Sequence, residues 1–558
     1  MNQRQSSLQR FAEEEFDVLI LGGGINGAVA AAALSKQGAK VALVEKSDFA
    51  SFSSSNSSNL AWGGIKYLES GELLLVRKLC KSRNLLMDEY PSQVKEVRFL
   101  TAINKNFRWP SWCVYLGALF YWIIGNFRTK APRLLTRSDM QSQESVINID
   151  ELAGGVEYSD CYLPENDSRF VFGFIQAAMG SGAAVANYVE ALGSERRPGG
   201  GWHWVTELRD ELSGRRINLK SKVLINACGA FVDEYNQGIA QHTPHRHVFS
   251  KGVHLIVPQL TEHERVLAFF ASDGRLFFVI PMGSYTCIGT TDTQVEDPEV
   301  EVCDDDRDFI LRNVNKLLRL KEPLTRANII AERCGVRPLV VERRKHETAD
   351  WINLSRKHRI HKNTDDKFIS IFGGKITDCI NIGNTLIDEC ERFDILPNIQ
   401  RKKWYGEAAE QDKKNFLYRA ATHGFGCELS VALSRSKTEV KPAQVERWWR
   451  LYGEQANEIL IIAEQNPTTT DPIIPGMDIC VAEVMLIAKQ EMIITLDDFL
   501  RRRTKIAQLL PMKELINHPA LLHIATILFG ESKADMKVQE YRQLILGFEG
   551  PVVHAVGA

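Results

Sequence analysis

"FDVLILGGGINGAVAAAALSKQGAKVALVEK", residues 16–46, decides the fold. Val18–Leu21 is a short branched apolar run, as a parallel strand buried on both faces requires. Gly22-x-Gly24-x-x-Gly27 follows, with Asn26 inside the turn, then an alanine-rich helix and a second strand ending at Glu45 and Lys46. Gly22 permits the tight turn, Gly24 lets a pyrophosphate approach the backbone, and Gly27 lets the helix pack closely. The helix N-terminus favours negative charge. Glu45 stands where a carboxylate can accept hydrogen bonds from both hydroxyls of a ribose. A glycine triplet alone is weak, but the strand–turn–helix–strand context predicts a Rossmann-like α/β dinucleotide-binding domain. A tight turn without ligand is the competing reading, and the spacing does not separate NAD from FAD.

Downstream, "KSDFASFSSSNSSNLAWGG" (46–64) is rich in hydroxyl side chains and ends on two glycines. Ser57, Ser58 and Leu60 lie in it. Such a crossover can bring amides and hydroxyls to the pyrophosphate and flavin of a long cofactor. By composition it reads equally well as a polar loop.

The 558 residues exceed what one core needs, so two or three domains are expected. The formal net charge of −2 gives no nucleic-acid footprint. Eleven cysteines are scattered without a Cys-x-x-Cys pair, which argues against zinc and disulfides and for a reducing, cytoplasmic compartment. No metal site is expected. The N-terminal stretch is polar, without an apolar signal core. "WCVYLGALFYWIIG" (112–125) is shorter than the roughly 20 residues of a membrane span. It reads as a buried helix with a solvated basic edge, or as a face resting on a membrane surface, with Lys105, Arg108, Arg128, Lys130 and Arg133 as basic flanks.

Further along, "LKSKVLINACGAFVD" closes a strand on a small-residue turn at Gly229, and "KFISIFGGKITD" is another strand–Gly-Gly–helix unit. Gly374 and its neighbours present N–H groups at a helix start, where an anion is stabilised. Three basic residues sit in motifs: Arg337 in "GVRPL", Arg356 in "LSRKH" and Lys375 in "GGK". Arg337 precedes a proline, which restricts it to an extended backbone. Its planar fork suits a carboxylate or phosphate. His254 in "SKGVHLIVP" is the candidate general base, since imidazole titrates near neutrality. A core histidine is the competing reading, and His358 is a weaker rival. Thr290–Asp292 in "IGTTD" reads mainly as structural. From about Lys402 the apolar residues recur at helical spacing, predicting a separate helical domain. In it Arg501–Arg503 reads as a solvated or interdomain charge run rather than a phosphate site.

In order, "LGGGINGA", "VALVEKSDFAS", "SSNLAWGGIKYLE", "VEYSDCY", "NACGAFVD", "SKGVHLIVP", "IGTTDT", "CGVRPLV", "LSRKH" and "FGGKIT" resemble the FAD-dependent glycerol-3-phosphate dehydrogenases. The resemblance runs from about Phe16 to Thr377 and resumes weakly in the C-terminal third. It implies a non-covalent FAD held by Gly22, Gly24, Asn26, Gly27, Glu45, Lys46, Ser57, Ser58, Leu60, Val185, Gly229, Gly374, Lys375, Ile376 and Thr377. Val185 would meet the adenine through its backbone. The implied substrate contacts are Lys66, Tyr67, His254, Arg337, Arg356 and Lys375, with His254, Arg337 and Lys375 carrying catalysis. Implied domains are a discontinuous FAD-binding domain (11–80, 160–235, 330–395), an inserted α+β substrate domain (81–159, 236–329) and an all-helical C-terminal domain (402–550).

The implied reaction takes a hydride from C2 of sn-glycerol 3-phosphate, gives dihydroxyacetone phosphate, and passes electrons to a quinone. A peripheral location on the inner face of the cell membrane fits, a homodimer is compatible, and nucleic acid is not a partner. Departures mark the substrate side. Asn59, Trp62 and Lys66 stand where the family usually has Lys, His and Arg, and Ile376-Thr377-Asp378-Cys379-Ile380 replaces Leu-Thr-Thr-Tyr-Arg. Oxidation of another small anionic alcohol, 2-hydroxy acid or amine is therefore the alternative. An FAD-binding homologue without turnover is a second.

Overall fold

The structure is a computed structural model that describes residues 3–199, 202–271, 274–343, 357–396, 401–425 and 442–547. The chain divides into two compact units. The larger comprises Ser7–Glu89 and Val94–Tyr405, and the smaller runs from Gly406 onward with residues 1–6 and 90–93.

In the larger unit, β1 (Glu15–Leu21) is buried from Val18 onward and feeds α1 (Ile25–Lys36), whose alanines let it pack closely. β2 (Val41–Val44) is completely buried. The first sheet has the order Arg359–Asn363, Phe368–Phe372, β3 (Arg216–Asn226), β1, β2, Ala184–Ala186. β3, β1, β2, Phe368–Phe372 and Ala184–Ala186 run parallel. The chain turns from β2 across to β3 around β1, and in open α/β sheets ligands bind outside the carboxyl ends of strands at such a reversal.

The second sheet has ten strands among the described residues. Its longest ladder pairs β4 (His245–Pro258) antiparallel with β5 (Ala331–Glu342) over twelve residue pairs, from His245–Glu342 to Ile256–Ala331. β5 is held by main-chain bonds to the second sheet, not the first, and so are Leu60–Ala61 and Leu152–Tyr162. α2 (Leu73–Glu89) and α3 (Ser111–Ile124) belong to this unit.

α3 is not a buried helix. Trp112, Leu116, Phe120 and Ile123 form a stripe at helical spacing and are 44–59% exposed, while Ala118 and Tyr121 on the inner face are buried. Its basic flank is largely paired: Arg108 with Glu69, Arg128 with Asp88, and Arg133 with Glu157 at 3.4 Å. No helix among the described residues is long and apolar enough to cross a membrane.

The described part of the smaller unit is helical, around a core that includes Trp448, Ile459, Leu460, Ile487, Phe499 and Ile524. Arg502 and Arg503 are buried there rather than solvated. Arg502 pairs with Asp498 at 2.6 Å, and Arg503 meets Glu491 at 3.5 Å and donates to its backbone carbonyl at 3.1 Å. The charge run is a structural ion-pair network.

Candidate active site

The first glycine turn is built as the sequence predicts. Gly22 has φ +99°, and a Cβ there would come within 2.6 Å of the Ala227 carbonyl oxygen. A Cβ on Gly27 would overlap the Gly22 carbonyl oxygen, so this position serves helix packing. Gly24 caps α1 and faces open space apart from Ser54 Oγ, 3.3 Å from where its Cβ would stand. Glu45 is buried beyond β2. Its carboxylate accepts from the Gly23 N–H at 2.7 Å and the Ser47 N–H at 2.9 Å, and burial pushes its pKa up. Two carboxylate oxygens offer about four lone-pair directions, so acceptor capacity for a ribose remains.

These residues open on a cavity of ≈ 380 Å³ at the carboxyl ends of β1 and β2. Gly22, Gly24, Glu45, Lys46 and Gly229 line it. Lys46 is held across the Phe231 ring, 4.1 Å from its centre. Val185 is not at the cavity; it is completely buried in Ala184–Ala186, paired with Leu43. Val189–Gly193 line the cavity instead. The Val189 N–H donates to the Glu45 carbonyl at 2.8 Å, which holds this segment beside the end of β2.

The serine-rich stretch runs from this cavity to the second sheet. Ser54 Oγ accepts from the Ile25 N–H at 3.1 Å, Ser53 donates to the Val336 carbonyl at 2.6 Å, and the Ser57 N–H donates to buried Asp167 at 2.9 Å. Ser58 and Leu60 are half-buried on the same segment. Arg333, buried on β5, donates to the Ser57 carbonyl at 3.1 Å and to Asn59 Oδ1 at 3.3 Å. Arg333 escaped the sequence reading, although its spacing of four from Arg337 places both on one face of a strand.

Gly373, Gly374 and Lys375 form the second turn, with Ile376 and Thr377 opening a short helical turn before the helix Cys379–Arg392. Three contacts fix it. Buried Asn26 donates through Nδ2 to the Gly373 carbonyl at 2.8 Å, leaving Oδ1 without a partner among the described residues. The Gly373 N–H donates to His247 Nε2 on β4 at 3.1 Å. Thr377 Oγ1 donates to the Trp62 carbonyl at 3.4 Å. Lys66 and Tyr67 sit half-buried on the helical turn Ile65–Leu68, and Lys375 Nζ donates to Tyr67 Oη at 2.9 Å.

Arg337 and His254 share one face of the β4–β5 ladder. Arg337 faces Ser250 in register, and its guanidinium lies over Gly252, where a Cβ would overlap it. Its fork donates to Thr290 Oγ1 at 3.0 Å and pairs with Asp292 at 3.6 Å. The "IGTTD" junction therefore aims Arg337 as well as ordering a loop. His254 is 2% exposed, and neither ring nitrogen has a hydrogen-bonding partner among the described residues. Burial, then the charges of Arg337 and Arg333, lower its pKa to about 3. A partnerless buried imidazole beside guanidinium groups is unusual for a core histidine. His358 is engaged elsewhere, with Nδ1 2.8 Å from Asp378. Arg356 lies outside the described residues.

The glycine turn, the lined cavity and the buried carboxylate fit the adenosine and pyrophosphate of a dinucleotide. The second turn, tied to the first through Asn26, fits the far end of a long cofactor. This is the arrangement of a flavin-dependent oxidoreductase.

Residues 17–354 match the FAD dependent oxidoreductase family, and residues 419–535 match the C-terminal domain of alpha-glycerophosphate oxidase. The chain belongs to the FAD-dependent oxidoreductase family, and FAD is its cofactor. It is 32% identical over 68% of its length to the glycerol-3-phosphate dehydrogenase of Pseudomonas aeruginosa, covering 72% of that protein. It is 28% identical to the D-erythritol 1-phosphate dehydrogenase of Brucella abortus, over 88% of this chain and 94% of that one. The structure resembles glycerol-3-phosphate dehydrogenase from Bacillus halodurans complexed with FAD, with a TM-score of 0.74, 23% identity, and 99% and 98% of the two chains covered.

Proposed function

We propose that this protein oxidises sn-glycerol 3-phosphate at C2 to dihydroxyacetone phosphate. The observation that carries the proposal is buried His254, both nitrogens without a partner among the described residues, in the field of Arg337 and Arg333. FAD supplies the hydride acceptor. Gly22, Gly24, Glu45, Lys46, Gly229 and the 53–60 segment hold it, with the Gly374–Thr377 turn at the flavin end. Arg337 and Lys375, supported by Lys66 and Tyr67, bind the phosphate; Arg356 belongs to this set by its motif. His254 takes the hydroxyl proton as hydride leaves the carbon, so the alcohol gives up both hydrogens. Burial is the larger cause of the depressed imidazole; a phosphate dianion at Arg337 offsets the smaller part that comes from the guanidinium charges, which makes His254 a stronger base once substrate is in place.

The electrons pass to a quinone at a membrane surface, where the apolar stripe of α3 rests on the cytoplasmic face. A four-carbon phosphorylated polyol is the second reading. The likeness to the D-erythritol 1-phosphate enzyme and the Asn59, Trp62 and Lys66 departures favour it. Anaerobic mixing of the yellow protein with glycerol 3-phosphate, D-erythritol 1-phosphate, small 2-hydroxy acids and amines, while following flavin bleaching, tests both. Fast bleaching by glycerol 3-phosphate is expected, and bleaching by another member of the panel alone overturns the assignment.

A further inference from the structure

Beneath the turn that carries Lys66 and Tyr67 lies an ionic cluster to which nothing above gives a role. Asp160 is completely buried, and so is Arg83 but for 1% of its surface. Asp160 Oδ1 accepts from Arg83 Nη1 at 3.2 Å and from the Gly63 N–H at 3.1 Å, and Oδ2 accepts from Tyr121 Oη at 2.7 Å. Arg83 Nη1 also donates to Tyr121 Oη at 3.3 Å. The three side chains come from α2, α3 and the strand Leu152–Tyr162 and converge on one backbone N–H. A Cβ on Gly63 would overlap the Tyr121 hydroxyl, so the turn lies directly on the cluster. Gly64 follows in the left-handed region at φ +82°, and the chain then enters Ile65–Leu68.

A buried ion pair is a poor way to gain stability, because desolvation offsets most of the attraction, and apolar groups of similar volume often do as well. What it supplies is a fixed direction. Asp160 is held by two side chains so that Oδ1 accepts from one amide, that of Gly63, and that amide starts the turn ending in the Tyr67–Lys375 contact at 2.9 Å.

We propose that Asp160, oriented by Arg83 and Tyr121, is a positioning residue for the substrate turn: it fixes Gly63 and thereby the placement of Lys66 and Tyr67 against Lys375. This rests on the reading of that turn as the phosphate-binding side of the site. The cluster acts on substrate binding and leaves FAD retention alone.

The test is the apolar exchange Arg83→Met/Asp160→Leu/Tyr121→Phe in the full-length holoenzyme. The expected variant keeps wild-type FAD content and a Tm at or above wild type. Its KM for glycerol 3-phosphate rises roughly tenfold or more with a smaller change in kcat, since a small misplacement far from the chemistry costs up to about a hundredfold. Limited trypsinolysis followed by mass spectrometry gives a second readout without substrate, in which cleavage after Lys66 becomes faster. Wild-type KM together with a wild-type cleavage rate at Lys66 would make the cluster purely structural and overturn the proposal. Should the triple exchange not fold, Tyr121→Phe, which keeps the ion pair, decides by the same two readouts with a smaller rise in KM. If wild-type protein ignores glycerol 3-phosphate, the substrate reading fails on its own and the trypsin arm still decides the positioning role.

Discussion

Lys375 Nζ lies 2.9 Å from Tyr67 Oη and 4.6 Å from the centre of the same ring. One ammonium thus joins two turns 308 residues apart in sequence, by a hydrogen bond and by attraction to the ring face. An anion bound there meets a cation already held in place, so little side-chain entropy is left to lose on binding. Lys375→Met should raise KM for glycerol 3-phosphate by about ten- to a hundredfold, the worth of a charge-assisted contact, while FAD stays bound through the backbone of the Gly373–Gly374 turn. Tyr67→Phe keeps the ring and loses the hydroxyl, and its effect should be smaller. Dye-linked steady-state kinetics with flavin absorbance measured alongside will separate these. An unchanged KM for Lys375→Met would put Lys375 outside the substrate site.

The glycines of the first turn are not equivalent, and mutation should reveal it. A side chain on Gly24 meets only Ser54 Oγ in the protein, so Gly24→Val should fold and lose FAD by blocking the approach of the pyrophosphate. A side chain on Gly27 runs into the Gly22 backbone, so Gly27→Val should fail to fold. Absorbance near the flavin band and circular dichroism on the purified variants will tell. A folded, fully yellow Gly24→Val protein would contradict the placement of the cofactor.

His254 makes stability depend on pH with a definite sign. Its folded pKa is lowered to about 3, while an unfolded histidine titrates near about 6.5. Between those values the unfolded chain binds a proton that the folded chain refuses, so stability falls as pH drops through this window, by at most about 1.4 kcal/mol per pH unit for one group. Asp378 acts lower down. His358, Asn381 and Lys78 hold its carboxyl below the usual range against the opposing cost of burial, so its contribution is lost only as pH falls through and below about 4. Thermal unfolding of holoprotein from pH 7 to pH 5 should show a declining Tm for wild type and a shallower decline for His254→Ala. Parallel slopes would mean that His254 is not the buried neutral imidazole described.

The parts of this molecule legible in the sequence are those where one local rule governs. A glycine run between an apolar strand and an alanine-rich helix admits little else, and Gly22, Gly24, Gly27 and Glu45 stand in the structure where that rule puts them. Long-range pairing is what escaped. β5 carries Arg337, whose motif was legible, but only its twelve-residue ladder with β4 sets Arg333 opposite His254. Val185 lies in a short buried strand beside β2, and that the cavity is lined by the following segment from Val189 is set by the fold and not by the local sequence. The Arg83–Asp160–Tyr121 cluster leaves no periodic trace, since its members lie on separate elements. Arg501–Arg503 looked solvated because a charge run usually is; its partners Asp497, Asp498 and Glu491 were in plain view, but burial is not written in composition.

The exposed stripe of α3 should bind a bilayer mainly through its apolar side chains. Trp112, Leu116 and Phe120 are 44–59% exposed, so each stands to gain roughly half of the about 1.5–3 kcal/mol of a full burial. Arg108, Arg128 and Arg133 are already paired within the protein, so the gain from anionic lipid is modest. Trp122 is not part of the stripe: its indole N–H donates to the Thr129 carbonyl at 2.7 Å, and its ring packs on Phe127. Co-sedimentation with anionic vesicles should therefore persist as salt is raised, and Trp112→Gln/Leu116→Gln/Phe120→Gln should abolish it with dye-linked turnover intact. Wild-type protein that stays in the supernatant at low and high salt would defeat this account, and with it the case for a quinone in the membrane.

Trp62 bears most directly on the chemistry. Its ring lies 5.9 Å from the Tyr67 ring, and its carbonyl accepts from Thr377, so the position belongs to the seam between the two substrate turns. Where the resembling enzymes have histidine, this chain has a side chain that donates one N–H and cannot accept a proton. On the mechanism proposed above, proton removal from the substrate hydroxyl then rests on His254. His254→Ala should slow flavin reduction by about 10²–10⁴, the range of a positioned base. Trp62→His keeps the backbone bond to Thr377 and adds a second titrating group, so it should widen the pH range of flavin reduction. The measurement is anaerobic stopped-flow of wild type, His254→Ala, Trp62→His and the double variant at several pH values. Partial recovery in the double variant would show that the added imidazole can take over the proton. A His254→Ala protein that bleaches as fast as wild type would remove His254 from the reaction, whatever the substrate proves to be.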